Sequence, residues 1–345
     1  MGRKRYTLNR PRPRPRPWWL FLAWVWLALV PLLANGCGAE QPGVYRVGIF
    51  SGTGAFAEVA SGFKAGMAEL GYIEGQNIVY VVQEVTSVPD EDRRRIQHLV
   101  DEQVDLIFVA ASRPTMLTRE VTAGTNVPMV FTLATIEGNN LVQSVREPGG
   151  NITGVRSPGP EQTSKRLEIL LEIAPQVKRV WIGYDKDDSN TAPALDALRQ
   201  FAASQQVTLV EVPATTHEEL QADLAARVAR EDLGMDAMIL MPDGLNHSTR
   251  GWEMIRTFAA QYRIPLGGSF LYTVEQGAVF GNASSFFEEG ALAAPLAAKI
   301  LHGTPAGTIP VVTPNQRLWI NYRVAEELGL TVPEGLLKTA DEIIR

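Results

Sequence analysis

Short apolar segments alternate with amphipathic segments along most of this chain of 345 residues. The apolar segments are short enough to be buried strands, and the segments between them carry apolar residues at spacings of three and four, which predicts helices. The predicted strands are 45–50, 78–85, 106–110, 129–133, 152–155, 179–184, 207–212, 237–241, 266–268, 278–282 and 318–321. The predicted helices are 56–70, one that begins at residue 89, 112–123, 161–174, 191–204, 218–230, 249–262 and 287–302. Helical turns are predicted after the last strand, up to residue 345.

The alternation of strands and helices predicts an α/β protein whose parallel sheets are covered by helices on both faces. A single sheet of about ten strands would also fit this pattern. The break at Pro148-Gly149-Gly150, near the middle of the chain, favours two Rossmann-like lobes instead. In open sheets of this type, ligands bind beyond the carboxyl ends of the strands.

Polar and aromatic residues lie at those strand ends. The small hydroxyl side chains among them either cap the following helix or bind a small polar ligand. The two aspartates either cap helices or bind an ammonium group or hydroxyls of a ligand, and we favour Asp243 as a ligand contact. Phe270 is placed to line a cleft for an apolar or aromatic ligand. The expected ligand-binding residues are Ser51, Gly52, Thr53, Ser112, Thr132, Thr135, Asp185, Asp243, Ser269 and Phe270.

The segment 52–57 (GTGAFA) matches the dinucleotide-binding fingerprint, because it follows a predicted strand and opens a predicted helix. Glu84, at the end of the next strand, occupies the place of a ribose-binding acid. The export signal described below argues against this interpretation, since nicotinamide cofactors are scarce outside cells. We favour a second one, in which backbone N–H groups at the helix N-terminus bind an anionic group such as a carboxylate. We therefore expect no cofactor.

The sequence contains no recognisable catalytic constellation. It has no G-x-S-x-G nucleophile elbow and no H-E-x-x-H zinc motif. Its four histidines do not have the spacing of metal ligands. We expect a binding protein with no metal site and no enzymatic activity.

Residues 1–36 have the layout of a secretory signal peptide. A stretch with seven Lys or Arg residues and no acid precedes the largely apolar segment 18–34 and then small residues. Cys37, the only cysteine, follows Gly36 as in a bacterial lipobox, so we expect a lipid on Cys37 and a tether over 37–44. An uncleaved anchor helix and plain secretion are the alternatives. All three place the folded body outside the cytoplasm, anchored to membrane lipid or in the periplasm.

Removal of residues 1–36 changes the charge of the protein. The chain has 32 Lys and Arg and 38 Asp and Glu, and seven of the basic residues lie in the signal segment. The mature body therefore has 25 basic and 38 acidic residues, a net charge of −13. Nucleic-acid binding needs a basic face, so this balance argues against nucleic acid as a partner.

A series of short motifs identifies a family resemblance, and 147–155 (EPGGNITGV) is the most specific of them. The others are 70–72 (LGY), 74–77 (EGQN), 105–107 (DLI), 128–132 (PMVFT), 297–301 (AAKIL), 309–310 (IP), 320–321 (IN), Ala325 and 328–330 (LGL). With these motifs in this order, residues 45–345 resemble the tryptophan/amino-acid-type substrate-binding proteins of ABC transporters.

The resemblance implies a periplasmic-binding-protein type I fold, in which two lobes joined by three crossings close on a small molecule. It implies a protein that takes up an amino acid, notably an aromatic one, and delivers it to a membrane permease, and we expect a monomer. It places Ser112, Thr132, Thr135, Asp243 and Ser269 at the cleft. The expected first lobe is 45–153 with 285–312, and the expected second lobe is 154–284 with 313–345.

The chain departs from the family at two places in the expected cleft. The family commonly has a T-D-P segment after the fourth strand, where this chain has Thr135-Ile136-Glu137. The family also tends to have an acid after the position of Ser269, where this chain has Phe270. An α-ammonium group would then depend on Asp243 or Asp185, so we do not transfer tryptophan as the ligand from the family.

The resulting hypothesis is a lipid-anchored, extracytoplasmic solute-binding protein. One alternative is a sensor domain that uses the same cleft to report ligand occupancy to a signalling partner. The other is a secreted dinucleotide-binding oxidoreductase, which the fingerprint at 52–57 would support.

Overall fold

The computed structural model describes residues 1–2, 43–86 and 88–345. The expected lipidation site Cys37, and nearly all of the expected signal segment and tether, lie outside the described residues. Val44–Arg345 form one compact unit with two sheets. No helix in the described part of the chain combines the length and the apolar character that a membrane-spanning helix needs.

The first lobe contains a five-stranded parallel sheet in the order β2-β1-β3-β4-β5. Its strands are β1 (Tyr45–Ser51), β2 (Ile78–Glu84), β3 (Leu106–Ala110), β4 (Met129–Ala134) and β5 (Ile152–Arg156). Its helices are α1 (Ala57–Glu69), α2 (Pro89–Asp101), α3 (Ser112–Val121) and α10 (Phe286–Leu301), and 3₁₀ turns cover Gly54–Phe56 and Ala306–Thr308.

The second lobe contains a seven-stranded sheet in the order β12-β11-β10-β9-β8-β6-β7, in which only the β10–β11 pair is antiparallel. Its strands are β6 (Arg179–Asp185), β7 (Thr208–Ala214), β8 (Ala237–Ile239), β9 (Leu266–Gly268), β10 (Phe280–Ala283), β11 (Arg317–Asn321) and β12 (Glu342–Ile344). Its helices are α4 (Gly159–Ile173), α5 (Thr191–Ser204), α6 (His217–Val228), α7 (Gly244–His247), α8 (Thr249–Gln261), α9 (Leu271–Glu275), α11 (Tyr322–Glu327) and α12 (Glu334–Thr339).

Each sheet separates two hydrophobic cores, because successive side chains of a strand point to opposite faces. All five residues of β3 are buried. Leu106 and Phe108 pack with α1 and α10, whereas Ile107 and Val109 pack on the other face with α2 and α3. This burial on both faces explains why the strands are continuously apolar.

The chain passes between the two sheets three times, after β5, after β10 and after Val312. The first and third crossings lie side by side, because Val312 N donates to the carbonyl oxygen of Gly154 at 3.0 Å and Arg156 N donates to that of Val312 at 2.9 Å. The expected lobe boundary between residues 153 and 154 falls inside β5, which pairs with β4 as far as Arg156.

Glycines bring α10 unusually close to α1. A Cβ atom on Gly62 would lie 1.9 Å from the carbonyl oxygen of Phe287, and one on Gly290 would lie 1.9 Å from that of Val59. This close packing holds α10, which arrives by the second crossing, in the first lobe. It also places the first turn of α10, including Glu289, against the end of β4.

The predicted elements need correction at several places, among them the following three. The helix predicted over 56–70 begins at Ala57, after the 3₁₀ turn Gly54–Phe56, and ends at Glu69. The strand predicted over 237–241 ends at Ile239. The strand β12 pairs with β11 where only helical turns were predicted, because three residues are too few to show a period of two.

Candidate ligand-binding cleft

The carboxyl ends of the parallel strands in the two sheets face each other across a cleft, and side chains meet across it. Phe56 of the first lobe contacts Phe270 of the second, with ring centroids 5.9 Å apart in an edge-to-face arrangement. The side-chain nitrogen of Asn139 donates to Asn190 Oδ1 at 3.0 Å. The two lobes are therefore in contact at their facing edges.

A cavity of about 550 Å³ lies between the lobes beside this contact. The first lobe contributes the turn from Thr53 to Phe56. The second lobe contributes residues of α7, α8 and α9, among them His247 and Tyr272. This turn has space for a ligand near its backbone because Gly54, at a φ of +63°, carries no side chain. Ser51 is buried at the base of the turn, and its hydroxyl donates weakly to the carbonyl oxygen of Phe56 at 3.5 Å.

Two non-glycine residues at the cleft edge of the first lobe have positive φ angles. Ala111, which precedes α3, has a φ of +78°, and Leu133, near the end of β4, has a φ of +52°. Such conformations are uncommon and often mark functional sites. Ser112 and Thr135 join the two segments, since Ser112 Oγ accepts a hydrogen bond from Thr135 N at 3.0 Å.

The Thr132 side chain is hydrogen-bonded to a buried carboxylate. Its hydroxyl donates to Glu289 Oε2 at 3.0 Å, and the same oxygen accepts from Leu133 N at 3.0 Å. Ser284, at the second crossing, donates to the other oxygen of Glu289. Glu289 is 0% exposed, and burial raises the pKa of its carboxyl to about 7. Glu289 thus ties the strained end of β4 to a crossing between the lobes.

Asp243 is the N-cap of α7 and is buried. Its Oδ1 accepts from Asn246 N at 2.8 Å, and its Oδ2 accepts from the Asn246 side chain at 2.9 Å and from Asp185 N at 3.2 Å. Burial raises the pKa of Asp243 to about 7, and the neighbouring carboxylates Asp188 and Asp185 add to the effect. The structure therefore brings Asp185 and Asp243 together, with Asp243 acting as a helix cap.

His247 connects two residues of the second lobe at the cleft. Its Nδ1 shares a hydrogen bond of 2.6 Å with the Tyr272 hydroxyl, and its Nε2 is hydrogen-bonded to the Ser269 hydroxyl. Burial and, secondarily, the nearby charge of Arg166 lower the pKa of His247 to about 3. His247 is therefore a neutral imidazole that orients Ser269 and Tyr272.

Arg166 of α4 lies behind this layer and is 1% exposed. Its Nη2 donates to the carbonyl oxygen of Ser269 at 3.0 Å and, at a longer 3.4 Å, to that of Asn282. Its Nε and Nη1 are buried without a protein hydrogen-bond partner.

Aromatic rings from both lobes form one cluster at the cavity. Phe56 stacks on Phe286 at 4.9 Å, and Phe286 contacts Phe270 edge-to-face at 5.1 Å. Phe270 also contacts Tyr272 at 6.1 Å and His247 at 4.5 Å. Flat rings contributed from two sides suit a flat, apolar group of a ligand.

The structure thus collects the expected residues into two groups. The turn Ser51–Thr53 and the residues Ser112, Thr132 and Thr135 belong to the first lobe, and Asp185, Asp243, Ser269 and Phe270 belong to the second. Many of their polar atoms are engaged inside the protein, as caps or as supports of strand ends.

Three polar residues of the cleft region, two of them buried, were not expected from the sequence. Arg166 follows Lys165 on an amphipathic helix and has the sequence appearance of a solvated residue. Glu289 follows Glu288 in the first turn of a helix, where acids commonly interact with the helix dipole. The sequence does indicate that His247 lies near the cleft, because it comes four residues after Asp243 in a segment that follows a strand end.

The family model described as "ABC transporter substrate binding protein" matches residues 47–344. A tyrosine-binding protein of Clostridioides difficile (strain R20291) is 24% identical over 282 residues, which cover 81% of this chain and 75% of that protein. These relatives are binding proteins, which confirms the expectation that the chain is not an enzyme.

Solved structures share the fold. A conserved domain protein from Vibrio cholerae O1 biovar El Tor is 25% identical, with a TM-score of 0.76 over 87% of this chain and 99% of that one. An ABC domain in complex with L-Trp from Streptococcus pneumoniae is 21% identical, with a TM-score of 0.77 over the same shares. These likenesses confirm the expected periplasmic-binding-protein type I fold with two α/β lobes. The family match covers nearly all of the compact unit, and the chain therefore belongs to the ABC transporter substrate binding protein family.

Proposed function

We propose that this protein captures an amino acid with an aromatic side chain between its two lobes and delivers it to a membrane permease. The aromatic cluster is the observation that carries the proposal. Phe56 of the first lobe and Phe270 of the second touch each other in this cluster, so a flat side chain stacked against them would contact both lobes. A ligand that contacts both lobes stabilises the closed arrangement, as hinge closure requires.

The relatives support the class of ligand. One is named a tyrosine-binding protein, and one solved structure contains L-Trp. The family's two acids near the ammonium group are missing from this chain, in the segment that ends at Glu137 and at Phe270. Their absence does not remove any of the aromatic rings. We therefore retain the aromatic side chain and assign the ammonium group to the carboxylates around Asp185, because Asp243 already caps α7.

The polar ends of an amino acid have candidate partners in both lobes. The N-terminus of α3 begins at Ser112, and helix N-termini favour negatively charged groups such as a carboxylate. Asp185 and Asp188 lie across the cleft in the second lobe, where carboxylates attract an ammonium group.

We also propose that the protein works outside the cytoplasm, held to membrane lipid through Cys37. The basic and apolar segments before Cys37 support export, and the small residues next to it support lipidation. Delivery to a permease is supported by the family to which the chain belongs.

The first experiment is a thermal-shift screen of the purified protein with amino acids, sugars and nucleosides. A ligand that binds only the folded protein raises Tm by mass action. We expect L-tryptophan, L-tyrosine or L-phenylalanine to raise Tm, and sugars and nucleosides to have no effect. A screen in which only sugars or nucleosides raise Tm would overturn the proposed class of ligand.

A pair of variants then tests the aromatic cluster. Phe270→Ala is expected to weaken binding of the best aromatic amino acid about tenfold or more, because it removes stacking within the cleft. Phe287→Ala is the control, since Phe287 is 44% exposed and lies outside the cluster. Isothermal titration measures both affinities, and equal effects of the two variants would contradict the role of Phe270.

A further inference from the structure

Arg166 has an unusual environment for a charged side chain. Only one of its three guanidinium nitrogens, Nη2, has hydrogen-bond partners, and these are the carbonyl oxygens of Ser269 and Asn282. Carbonyl groups satisfy a donor but do not neutralise a charge. Among the residues that the structure describes, no carboxylate forms a salt bridge with Arg166.

The two other strongly buried ionisable groups of the region do not balance this charge. Asp243 is occupied by the amides of Asn246 and Asp185, and Glu289 is occupied by Thr132, Leu133 and Ser284. A buried charge without a counter-charge destabilises a protein. Burial accordingly lowers the pKa of Arg166 to about 9, which still leaves it charged at neutral pH.

Two hydrogen-bonded residues, Ser269 and His247, link Arg166 to the cavity between the lobes. The residue that accepts its hydrogen bond, Ser269, is bonded through its hydroxyl to His247, which lines that cavity. The charge of Arg166 contributes to the lowered pKa of His247, and both side chains are hydrogen-bonded to Ser269. His247 stays neutral, and Arg256, the second-lobe cation that lines the cavity, is paired with Glu253 at 2.6 Å. Arg166 is therefore the buried cation of the second-lobe cleft region that has no counter-charge.

We propose that Arg166, rather than the N-terminus of α3, binds the carboxylate of the ligand and that the ligand thereby supplies the counter-charge that the protein lacks. This proposal rests on the proposed function, in which the ligand is an amino acid. The unpaired N–H groups at Nε and Nη1 can donate to a carboxylate, and charge-assisted hydrogen bonds of this kind are strong. Arg166 would then select acids over neutral analogues of the same shape.

The experiment compares L-tryptophan with L-tryptophanamide, and L-tyrosine with its amide, by isothermal titration. Each amide keeps the ring and the ammonium group but lacks the negative charge. The wild-type protein is expected to bind the acid about 10- to 100-fold more tightly than the amide. In Arg166→Gln the two affinities are expected to agree within about threefold.

Two further variants serve as controls. Arg166→Lys keeps the charge and is expected to keep a preference for the acid. Arg227→Gln removes another buried arginine of the second lobe, which is paired with Asp223 at 2.7 Å on α6. We expect Arg227→Gln to lower Tm and to leave the preference for the acid unchanged.

The outcomes separate this proposal from the proposed function. If the wild type binds the acids and Arg166→Gln still binds them more tightly than the amides, the role of Arg166 is overturned and the proposed function stands. The same conclusion follows if the wild type binds acids and amides equally well. If neither acids nor amides bind the wild type, the proposed function is overturned, and Tm of the ligand-free protein decides on Arg166. Arg166→Gln should raise that Tm by about 2 °C or more because it removes an unbalanced charge, and a lowered Tm would contradict the proposal.

Discussion

The two edges of the cleft use different chemistry. The first-lobe edge consists of hydroxyls, backbone groups and two positive-φ residues, Ala111 and Leu133, which are held by the neutral contacts of Ser112 and by the buried Glu289. The second-lobe edge contains the buried ionisable groups Arg166 and Asp243.

This difference indicates a division of labour between the lobes. The first lobe offers a rigid surface of backbone groups. Its shape depends on support by the buried Glu289, which is hydrogen-bonded to Ser284 at the second crossing. The second lobe offers buried charge, whose effect depends on the ligand that meets it, whereas both lobes contribute aromatic rings. Disturbing the support should therefore change stability, whereas disturbing the second-lobe groups should change binding.

The largest expected effect is on the first lobe, with Glu289→Ala. The change leaves the buried donors of Thr132, Leu133 and Ser284 without their acceptor, so we expect a loss of about 4 kcal/mol in the free energy of unfolding. Urea unfolding measures it. Glu288→Ala is the matched control, since its carboxylate pairs with Arg317 at the partly exposed surface, and it should cost less than about 1 kcal/mol. Equal losses in the two variants would show that Glu289 is not a support.

The next effect is on pH dependence. Burial raises the pKa of Glu289 from 4.5 to about 7, so between these values the unfolded chain is ionised while the folded carboxyl keeps its proton. The contribution of Glu289 to stability therefore falls as pH rises from about 4.5 to about 7, by on the order of 3 kcal/mol. Glu289→Gln should remove this dependence, and Asp243→Asn should do the same for the second lobe, where the pKa is also about 7.

The measurement is urea unfolding of the wild type and both variants at several pH values from 4.5 to 7.5. His247 acts in the opposite sense, because its pKa is lowered to about 3 and its contribution rises with pH up to about 6.5. The test therefore compares each variant with the wild type at the same pH. A constant difference in stability across this range would contradict the raised pKa of the substituted carboxyl.

The smallest expected effect is on the contact between the lobes. Asn190→Ala removes the hydrogen bond with Asn139 and leaves each lobe intact, because the Asn190 side chain caps no helix. We expect the affinity for the best aromatic amino acid to fall about fivefold, since one hydrogen bond contributes about 1 kcal/mol to the closed state. Isothermal titration measures it, with Gln205→Ala at the other end of α5 as the control. An unchanged affinity would show that this contact does not stabilise closure.

The architecture could be predicted from the sequence because it follows from local patterns. The continuously apolar segment 106–110 predicts a strand buried on both faces, and it is one. The motif 147–155 predicts the family, which the family match confirms. Short elements such as α7, α9 and β12 escaped prediction, because a period needs more residues than they contain.

The cleft could be predicted only in part. Parallel strands end at one edge of a sheet, so the sequence order alone places Ser112, Thr135 and Ser269 near a cleft. It does not say which polar atoms are already occupied, since Thr132 meets Glu289 from a segment 157 residues away.

The sequence by itself determined the class of fold, the family and the strand ends at which a ligand would bind, because these depend on periodicity and on local motifs. Only the tertiary structure decided which groups remain available to a ligand. Arg166 and Glu289 look like ordinary surface charges in the sequence, and packing buries both. Glu289 acquires partners and Arg166 does not, because burial and pairing depend on residues that are distant in the chain and adjacent only in the folded protein.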